Sequence, residues 1–184
     1  TIDKQEDGSF IVTSNKGTRI HASVVAIAGG LGSFEPRKPL IDGIDFYEDK
    51  GVKYFIKNPE KFRDKRVVIA GGGDSALDWS IFLSNIASEV TLVHRRNEFR
   101  GALDSVEKVQ ELKNAGKIRL ITPAEVVGLN GAEHIESIDL DDNGAHRKIE
   151  CDYFIPLFGL TPKLGPIGNW GLEIEKNAIK VNNA

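Results

Sequence analysis

An apolar run that ends in three glycines is the feature that most constrains how this chain can fold. The run covers residues 66–70, and a segment with apolar residues largely at helical spacing follows at 75–87. A second apolar run occupies 89–94. A strand, a tight turn, a helix and a second strand in this order predict a parallel pair joined by a right-handed crossover. This unit is the start of a doubly wound sheet.

The turn itself has the spacing of a dinucleotide-binding motif. In Gly71-x-Gly73-x-x-Ala76 the first glycine permits the tight turn, and the second lets the backbone approach a pyrophosphate. The alanine allows the helix to pack closely on the strand. The helix N-terminus then offers unpaired N–H groups and a positive dipole end to phosphates. A tight turn without a ligand is the alternative, and the flanking strand and helix favour the dinucleotide.

Basic residues follow the second strand, where a dinucleotide fold meets the adenosine ribose. His94, Arg95 and Arg96 lie there, and Arg100 follows about one helical turn later. An acidic residue at this point would bind the 2′-hydroxyl of NAD, and this sequence has none there. Guanidinium groups match a 2′-phosphate in charge and in bidentate geometry, so the cluster favours NADP over NAD. A solvated basic loop is the alternative interpretation.

The rest of the pattern predicts an α/β protein. We expect a Rossmann-like doubly wound sheet with a small antiparallel meander, of the three-layer β/β/α type. The prolines and charges of 31–65 indicate linkers and irregular connections. The other predicted elements are a hairpin at 9–13 and 18–22, buried strands at 24–28 and 151–158, a helix at 105–115, a strand at 118–122, and meander strands at 124–129, 134–140 and 147–151 with a turn at 141–144.

Composition excludes several classes of function. The net charge of −3 gives no overall attraction to nucleic acid or to an anionic membrane. No apolar run approaches the ~20 residues that span a bilayer, and the N-terminus lacks a signal-peptide pattern, so we expect a cytoplasmic protein. The four histidines lack metal-ligand spacing, and we assign no metal site and no catalytic residue. Because the chain contains no methionine, we interpret it as an excised piece.

Six further residues have structural interpretations. Asp74 or Ser75 is expected to cap the helix, and Asp78 to lie in its first turn, where the dipole favours negative charge. Trp79 and Trp170 are expected to be packing residues, and platforms that stack on bases are the alternative. The single cysteine, Cys151, opens an apolar strand and is expected to be an inert buried thiol. With one cysteine the chain holds neither an internal disulfide nor a CxxC pair.

Long stretches of the chain resemble the NADPH domain of thioredoxin-reductase-like flavoproteins. These stretches are 67–79, 83–90 and 94–100, and likeness to the ferredoxin (flavodoxin)-NADP reductase branch extends to 32–39, 161–166 and 169–172. A thioredoxin reductase of this type carries its CxxC shortly before the Gly71 strand, and without that dithiol the flavin cannot pass electrons to a disulfide by the family's route. The resemblance therefore implies a one-electron carrier protein, ferredoxin or flavodoxin, as the acceptor.

The resemblance also implies a domain organisation. An FAD domain is interrupted by an NADPH domain, so 1–37 matches the tail of the first FAD segment, 38–162 the NADP-binding domain and 163–184 the return into the FAD domain. The Gly-rich turn and the Gly-Asp motif that bind FAD in the family are missing from this sequence, so we expect the fragment alone to hold FAD poorly and to be inactive. The full-length parent is expected to be a homodimer that binds NADP(H) and FAD.

The family's binding positions map onto this chain in three groups. The pyrophosphate is expected on the glycine turn and helix start, the 2′-phosphate on the basic cluster, and two further positions lie along the dinucleotide and near the flavin. The pyrophosphate group consists of Gly71, Gly72, Gly73, Asp74, Ser75 and Ala76, and the 2′-phosphate group of His94, Arg95, Arg96 and Arg100. Gly159 is the position along the dinucleotide, and Phe34 is the position near the flavin. Two alternatives stay open: a related flavoprotein with another acceptor, such as a low-molecular-weight disulfide, and a stand-alone NADP-binding module without turnover.

Overall fold

A computed structural model describes residues 1–28, 33–176 and 178–181, without the side chains of 33, 34 and 162. Contacts divide the chain into one unit of Pro36–Gly159 and another of Thr1–Glu35 with Leu160–Ala184. The helices are α1 Ile44–Tyr47, α2 Asp74–Leu83 and α3 Leu103–Asn114, with 3-10 turns at Pro59–Phe62 and Gly165–Asn169. The strands are β1 Ile2–Lys4, β2 Phe10–Thr13, β3 Arg19–Ala22, β4 Ser33–Pro36, β5 Arg66–Ala70, β6 Glu89–Val93, β7 Arg119–Ile121, β8 Glu125–Asn130, β9 Ser137–Asp142, β10 Ala145–Glu150, β11 Tyr153–Pro156, β12 Leu160–Lys163, β13 Ile174–Glu175 and β14 Ala178–Ile179.

A four-stranded parallel sheet forms the centre of the 36–159 unit. Its strands lie in the order β11-β5-β6-β7, and Ala70 at the end of β5 pairs with Val93 at the end of β6. Neighbouring strands that run parallel place their carboxyl ends at one edge of the sheet, so the turn after β5 and the segment after β6 lie at the same edge. The predicted βαβ unit is confirmed.

The two faces of this sheet are covered by different layers. Val67 and Ile69 of β5 pack on one face with apolar residues of α2 and α3, whereas Val68 and Ala70 pack on the other with residues of β9 and β10. Side chains of a strand alternate between faces, so a run that is buried on both faces must be apolar throughout. The three-layer β/β/α architecture predicted from the sequence is confirmed.

The meander of β8, β9 and β10 is antiparallel, as predicted. Asn143 and Gly144 connect β9 to β10 with φ angles of 53° and 88°. A two-residue hairpin with both central residues at positive φ is the connection that fits the twist of antiparallel strands, and asparagine followed by glycine favours it. The predicted turn at 141–144 is therefore in place.

The segment predicted as linkers contributes apolar residues to the core. Ile41, Ile44, Tyr47 and Val52 are buried in the core cluster beneath the meander. The backbone of Val52 also bridges to Phe154 of β11 in parallel. The described backbone of 31–65 is mostly irregular, as predicted, apart from β4, α1 and one 3-10 turn. Apolar residues scattered among charges nevertheless reach the core, because the chain folds back onto the sheet.

The other unit consists of small sheets. β1, β2 and β3 form an antiparallel sheet that contains the predicted hairpin, and β4 pairs with β12 and β13 with β14. The buried strand predicted at 24–28 was wrong: these residues form no strand, and Val24 is 80% exposed. A strand buried on both faces needs sheet neighbours, and no described strand pairs with this run. Among the described helices, none is long and apolar enough to cross a membrane.

Candidate dinucleotide-binding site

The first glycine of the turn is required by packing. A Cβ atom on Gly71 would lie 2.7 Å from the carbonyl oxygen of Leu157 and 2.8 Å from Cβ of Ala76. Gly71 is buried, and its amide donates to the carbonyl of Val93 at 3.0 Å. Ala76 is buried completely. The small residues at both positions therefore let α2 start directly against the ends of β5 and β11.

The third glycine of the turn faces open space. A Cβ atom on Gly73 would meet nothing within 4 Å, and its φ and ψ of −104° and 179° are open to any residue. Gly73 is the N-cap of the ten-residue helix α2, and the amides of Asp74 and Ser75 find no hydrogen-bond acceptor among the described residues. An exposed helix start whose first amides find no acceptor among the described residues provides room for an anion.

The carboxylates near this turn have a different role from the predicted one. Neither Asp74 nor Ser75 caps α2, because the N-cap is Gly73 and the cap has no side-chain hydrogen bond. Asp74 Oδ1 instead accepts from the amide of Ala102 at 2.7 Å. Asp78 lies beyond the first turn and accepts from the Ser105 hydroxyl at 3.0 Å. Both carboxylates therefore attach α2 to the segment at the start of α3.

Three guanidinium groups lie on the segment that follows β6. Arg95, Arg96 and Arg100 are exposed, and none of them forms an ion pair with a residue the structure describes. The amide of Arg100 donates to the carbonyl of Gly72 at 2.7 Å, so this segment contacts the glycine turn directly. Guanidiniums without ion-pair partners and a helix N-terminus with free amides are both groups to which phosphates bind in proteins.

His94 differs from these arginines because its ring is partly buried. The ring stacks on Phe99 with centroids 5.1 Å apart and planes at 21°, and Nε2 donates to the carbonyl of Glu98 at 3.1 Å. Burial lowers the pKa of His94 below its usual 6.5; the hydrogen bond to Glu98 opposes this shift, and the charges of the neighbouring arginines add to it. The shift favours the neutral ring over the protonated one.

The remaining residues singled out from the sequence lie elsewhere. Gly159 comes three residues after β11 with φ of 90°, and its carbonyl accepts from the amide of Arg37 at 3.0 Å. The side chain of Phe34 lies outside the described residues. Cys151 is buried as predicted, and burial raises the pKa of its thiol to about 12, which keeps it protonated and unreactive. Trp79 packs against the helical core cluster, also as predicted.

The family to which the chain belongs follows from comparison with known proteins. The family model described as pyridine nucleotide-disulphide oxidoreductase matches residues 1–184. The chain belongs to this family. Among curated pyridine nucleotide-disulphide oxidoreductase relatives, it is 88% identical over 184 residues to the ferredoxin–NADP reductase of Flavobacterium johnsoniae and 78% identical over 185 residues to that of Flavobacterium psychrophilum. In each case the match covers 100% of this chain and 53% of the relative, so the chain spans about half their length.

Solved structures of two thioredoxin reductases show the same fold. A thioredoxin reductase from T. acidophilum superposes with a TM-score of 0.83 at 24% identity, over 99% of this chain and 59% of that one. The thioredoxin reductase of Lactococcus lactis gives a TM-score of 0.81 at 22% identity, with 99% and 59% coverage. At these identities the likeness establishes the Rossmann-type α/β fold alone.

Several residues of the site were missed in the sequence. Phe99, the Glu98 carbonyl and Ala102 hold the basic segment in place, and Gly101 lies where a Cβ atom would be 2.5 Å from Leu77 Cδ1. The signal available was a glycine and an alanine directly after Arg100 and before a helical pattern. Small residues at that point indicate a close approach of two backbones.

Proposed function

We propose that this chain is the NADP(H)-binding part of an FAD-dependent oxidoreductase that passes hydride from NADPH to FAD and then electrons to ferredoxin or flavodoxin. The observation that carries the proposal is the set of three exposed guanidiniums without ion-pair partners among the described residues, at the same sheet edge as an open glycine turn. A dinucleotide with an extra 2′-phosphate presents negative charge at both places. NAD would leave the arginines without a ligand.

Different residues of the site would bind different parts of the dinucleotide. Gly73 and the free amides of Asp74 and Ser75 would hold the pyrophosphate, and Arg95, Arg96 and Arg100 would hold the 2′-phosphate. Bound NADPH supplies the hydride, and the protein contributes orientation rather than acid–base groups. Gly71, Gly72 and Ala76 shape the turn, and Gly159 and Phe34 are proposed to lie along the dinucleotide and near the flavin. The remaining proposed contact is His94.

The proposed acceptor rests on two observations. Relatives that are 88% and 78% identical are named ferredoxin–NADP reductase, and Cys151 is the single cysteine in these 184 residues. A dithiol for disulfide reduction is therefore not supplied by this chain. The proposal includes FAD in the complete protein, a homodimeric assembly and a cytoplasmic location. It assigns 38–162 to the NADP-binding domain, and 1–37 and 163–184 to the FAD domain.

The complete protein that contains this chain tests the proposal. With NADPH as donor we expect reduction of ferredoxin or flavodoxin and no reduction of thioredoxin, and with NADH a kcat/KM lower by at least about tenfold. An Arg95→Ala/Arg96→Ala variant should lose this preference, whereas Arg147→Ala/Lys148→Ala, with the same charge change on β10, should keep it. Reduction of thioredoxin or of a small disulfide alone would replace the acceptor. NADPH binding without turnover would indicate a binding module.

A further inference from the structure

The middle glycine of the turn is explained by a side chain rather than by a ligand. A Cβ atom on Gly72 would lie 2.2 Å from Cε1, 2.4 Å from Nε2 and 2.5 Å from Nδ1 of His94. Such near-equal distances to three ring atoms place Gly72 over the face of the imidazole instead of at its edge. Any side chain at position 72 would have to displace the ring, because a separation below 3.0 Å is closer than van der Waals contact.

The imidazole is fixed by other contacts as well. It stacks on Phe99, and Nε2–H donates to the Glu98 carbonyl. The backbone of His94 is held too: its amide donates to the carbonyl of Ile121 at 3.2 Å, and its carbonyl accepts from Ala124 at 2.9 Å. With ring and backbone both held, His94 has little freedom to turn toward a ligand.

The basic segment is attached to the turn and to α2 at three points. Besides the contact of His94 with Gly72, the amide of Arg100 bonds to the Gly72 carbonyl and the amide of Ala102 bonds to Asp74. Arg95 and Arg96 lie between the first two attachments, and Arg100 is itself the second. The directions in which the three guanidiniums can point therefore depend on how this segment packs against the turn.

We propose that His94 is a positioning residue that occupies the space left by Gly72 and thereby holds Arg95, Arg96 and Arg100 where they select NADP(H) over NAD(H). This inference rests on the proposed function and changes one part of it. His94 affects the ligand indirectly, because its packing holds the arginines in place. Gly72 leaves the space that the His94 ring occupies. Gly73 alone of the three glycines is left to admit the pyrophosphate.

The test is a set of variants at positions 72 and 94 in the complete protein, with dissociation constants for NADP⁺ and NAD⁺ measured by calorimetry. Gly72→Ala and His94→Ala should each weaken NADP⁺ binding by about tenfold and leave NAD⁺ within about twofold, the loss expected when charge-assisted contacts are misplaced. In the double variant the new methyl group has no ring to displace. Its NADP⁺ affinity should therefore equal that of His94→Ala, with no further loss.

A conservative variant separates packing from direct contact with the phosphate. His94→Phe keeps a flat ring against Gly72 and Phe99 but has no nitrogen, so we expect it to retain NADP⁺ selectivity within about threefold of wild type. If His94 itself bound the phosphate, His94→Phe would lose as much affinity as His94→Ala. His146→Ala, which removes an exposed histidine from β10, is the matched control and should change neither constant. Thermal unfolding of every variant identifies any general loss of fold.

The outcomes separate the two proposals. A wild-type protein that binds NADP⁺ and NAD⁺ equally would refute the proposed function, and the selectivity role of His94 with it. A wild-type preference for NADP⁺ that is lost in Arg95→Ala/Arg96→Ala supports the proposed function. If, in that protein, the effects of Gly72→Ala and His94→Ala simply multiplied, or if His94→Phe behaved as His94→Ala, the positioning role would be overturned and the proposed function would stand.

Discussion

Two apolar runs of this chain read alike in the sequence and behave differently in the structure. Residues 66–70 and 24–28 are both continuous apolar segments followed by glycines. The first is the buried strand β5 with a neighbour on each side, whereas the second forms no strand, and its Ile27 is 39% exposed. An apolar run thus becomes a strand of a parallel sheet only where other strands can pair with it. No described strand pairs with 24–28.

Truncating one isoleucine in each run gives the largest expected difference. Ile69 is fully buried between β5 and the helices, so Ile69→Ala should lower the free energy of unfolding of these 184 residues by about 2–5 kcal/mol. Ile27→Ala should change it by less than about 0.5 kcal/mol. Urea unfolding measures both. Equal losses would show that 24–28 is packed after all.

The same pair sharpens the comparison in the complete protein. If 24–28 belongs to the FAD domain as proposed, its missing sheet neighbours are supplied there. Ile27→Ala should then cost more in the complete protein than in the 184-residue chain, while the effect of Ile69→Ala should be the same in both. A small effect of Ile27→Ala in both would contradict the domain assignment.

The glycines that follow β5 give the next largest difference. Gly71→Ala places a methyl group against Leu157 and Ala76, so we expect a loss of about 1–3 kcal/mol in the free energy of unfolding. Gly73→Ala enters open space and should cost at most about 1 kcal/mol, the effect of alanine at an N-cap. Calorimetric unfolding distinguishes them. A larger loss for Gly73→Ala would mean that the turn is packed differently.

The smallest effect is a pH dependence confined to the turn. Because burial holds the pKa of His94 below 6.5, the unfolded chain binds a proton before the folded chain does as the pH falls. The contribution of His94 to the free energy of unfolding is therefore fully present above about pH 6.5. It is lost as the pH falls through the pKa of His94 in the folded chain. His94→Phe should lose this pH dependence, because it removes the titrating ring. Identical unfolding curves against pH for wild type and variant would contradict the assignment.

The parts predicted from the sequence are those whose signals are local. Residues 66–94 carry strand and helix periods and a glycine turn within one continuous stretch, and the structure has the elements there. The exposed state of 24–28 and the burial of Ile41 and Tyr47 depend on which distant segments are present, so periodicity could not decide them. The contact between Gly72 and His94 joins residues on different elements, and a glycine motif already explained by a ligand gave no reason to look for it.

The proposed function depends most on whether the basic segment recognises a 2′-phosphate. Calorimetric titration of the complete protein with 2′,5′-ADP and with 5′-ADP compares two ligands that differ in that group alone. We predict that 2′,5′-ADP binds at least about tenfold more tightly, the contribution of one or two charge-assisted hydrogen bonds, and that Arg95→Ala/Arg96→Ala removes the difference. Equal affinities of the wild-type protein for the two ligands would contradict recognition of the 2′-phosphate and with it the proposed function.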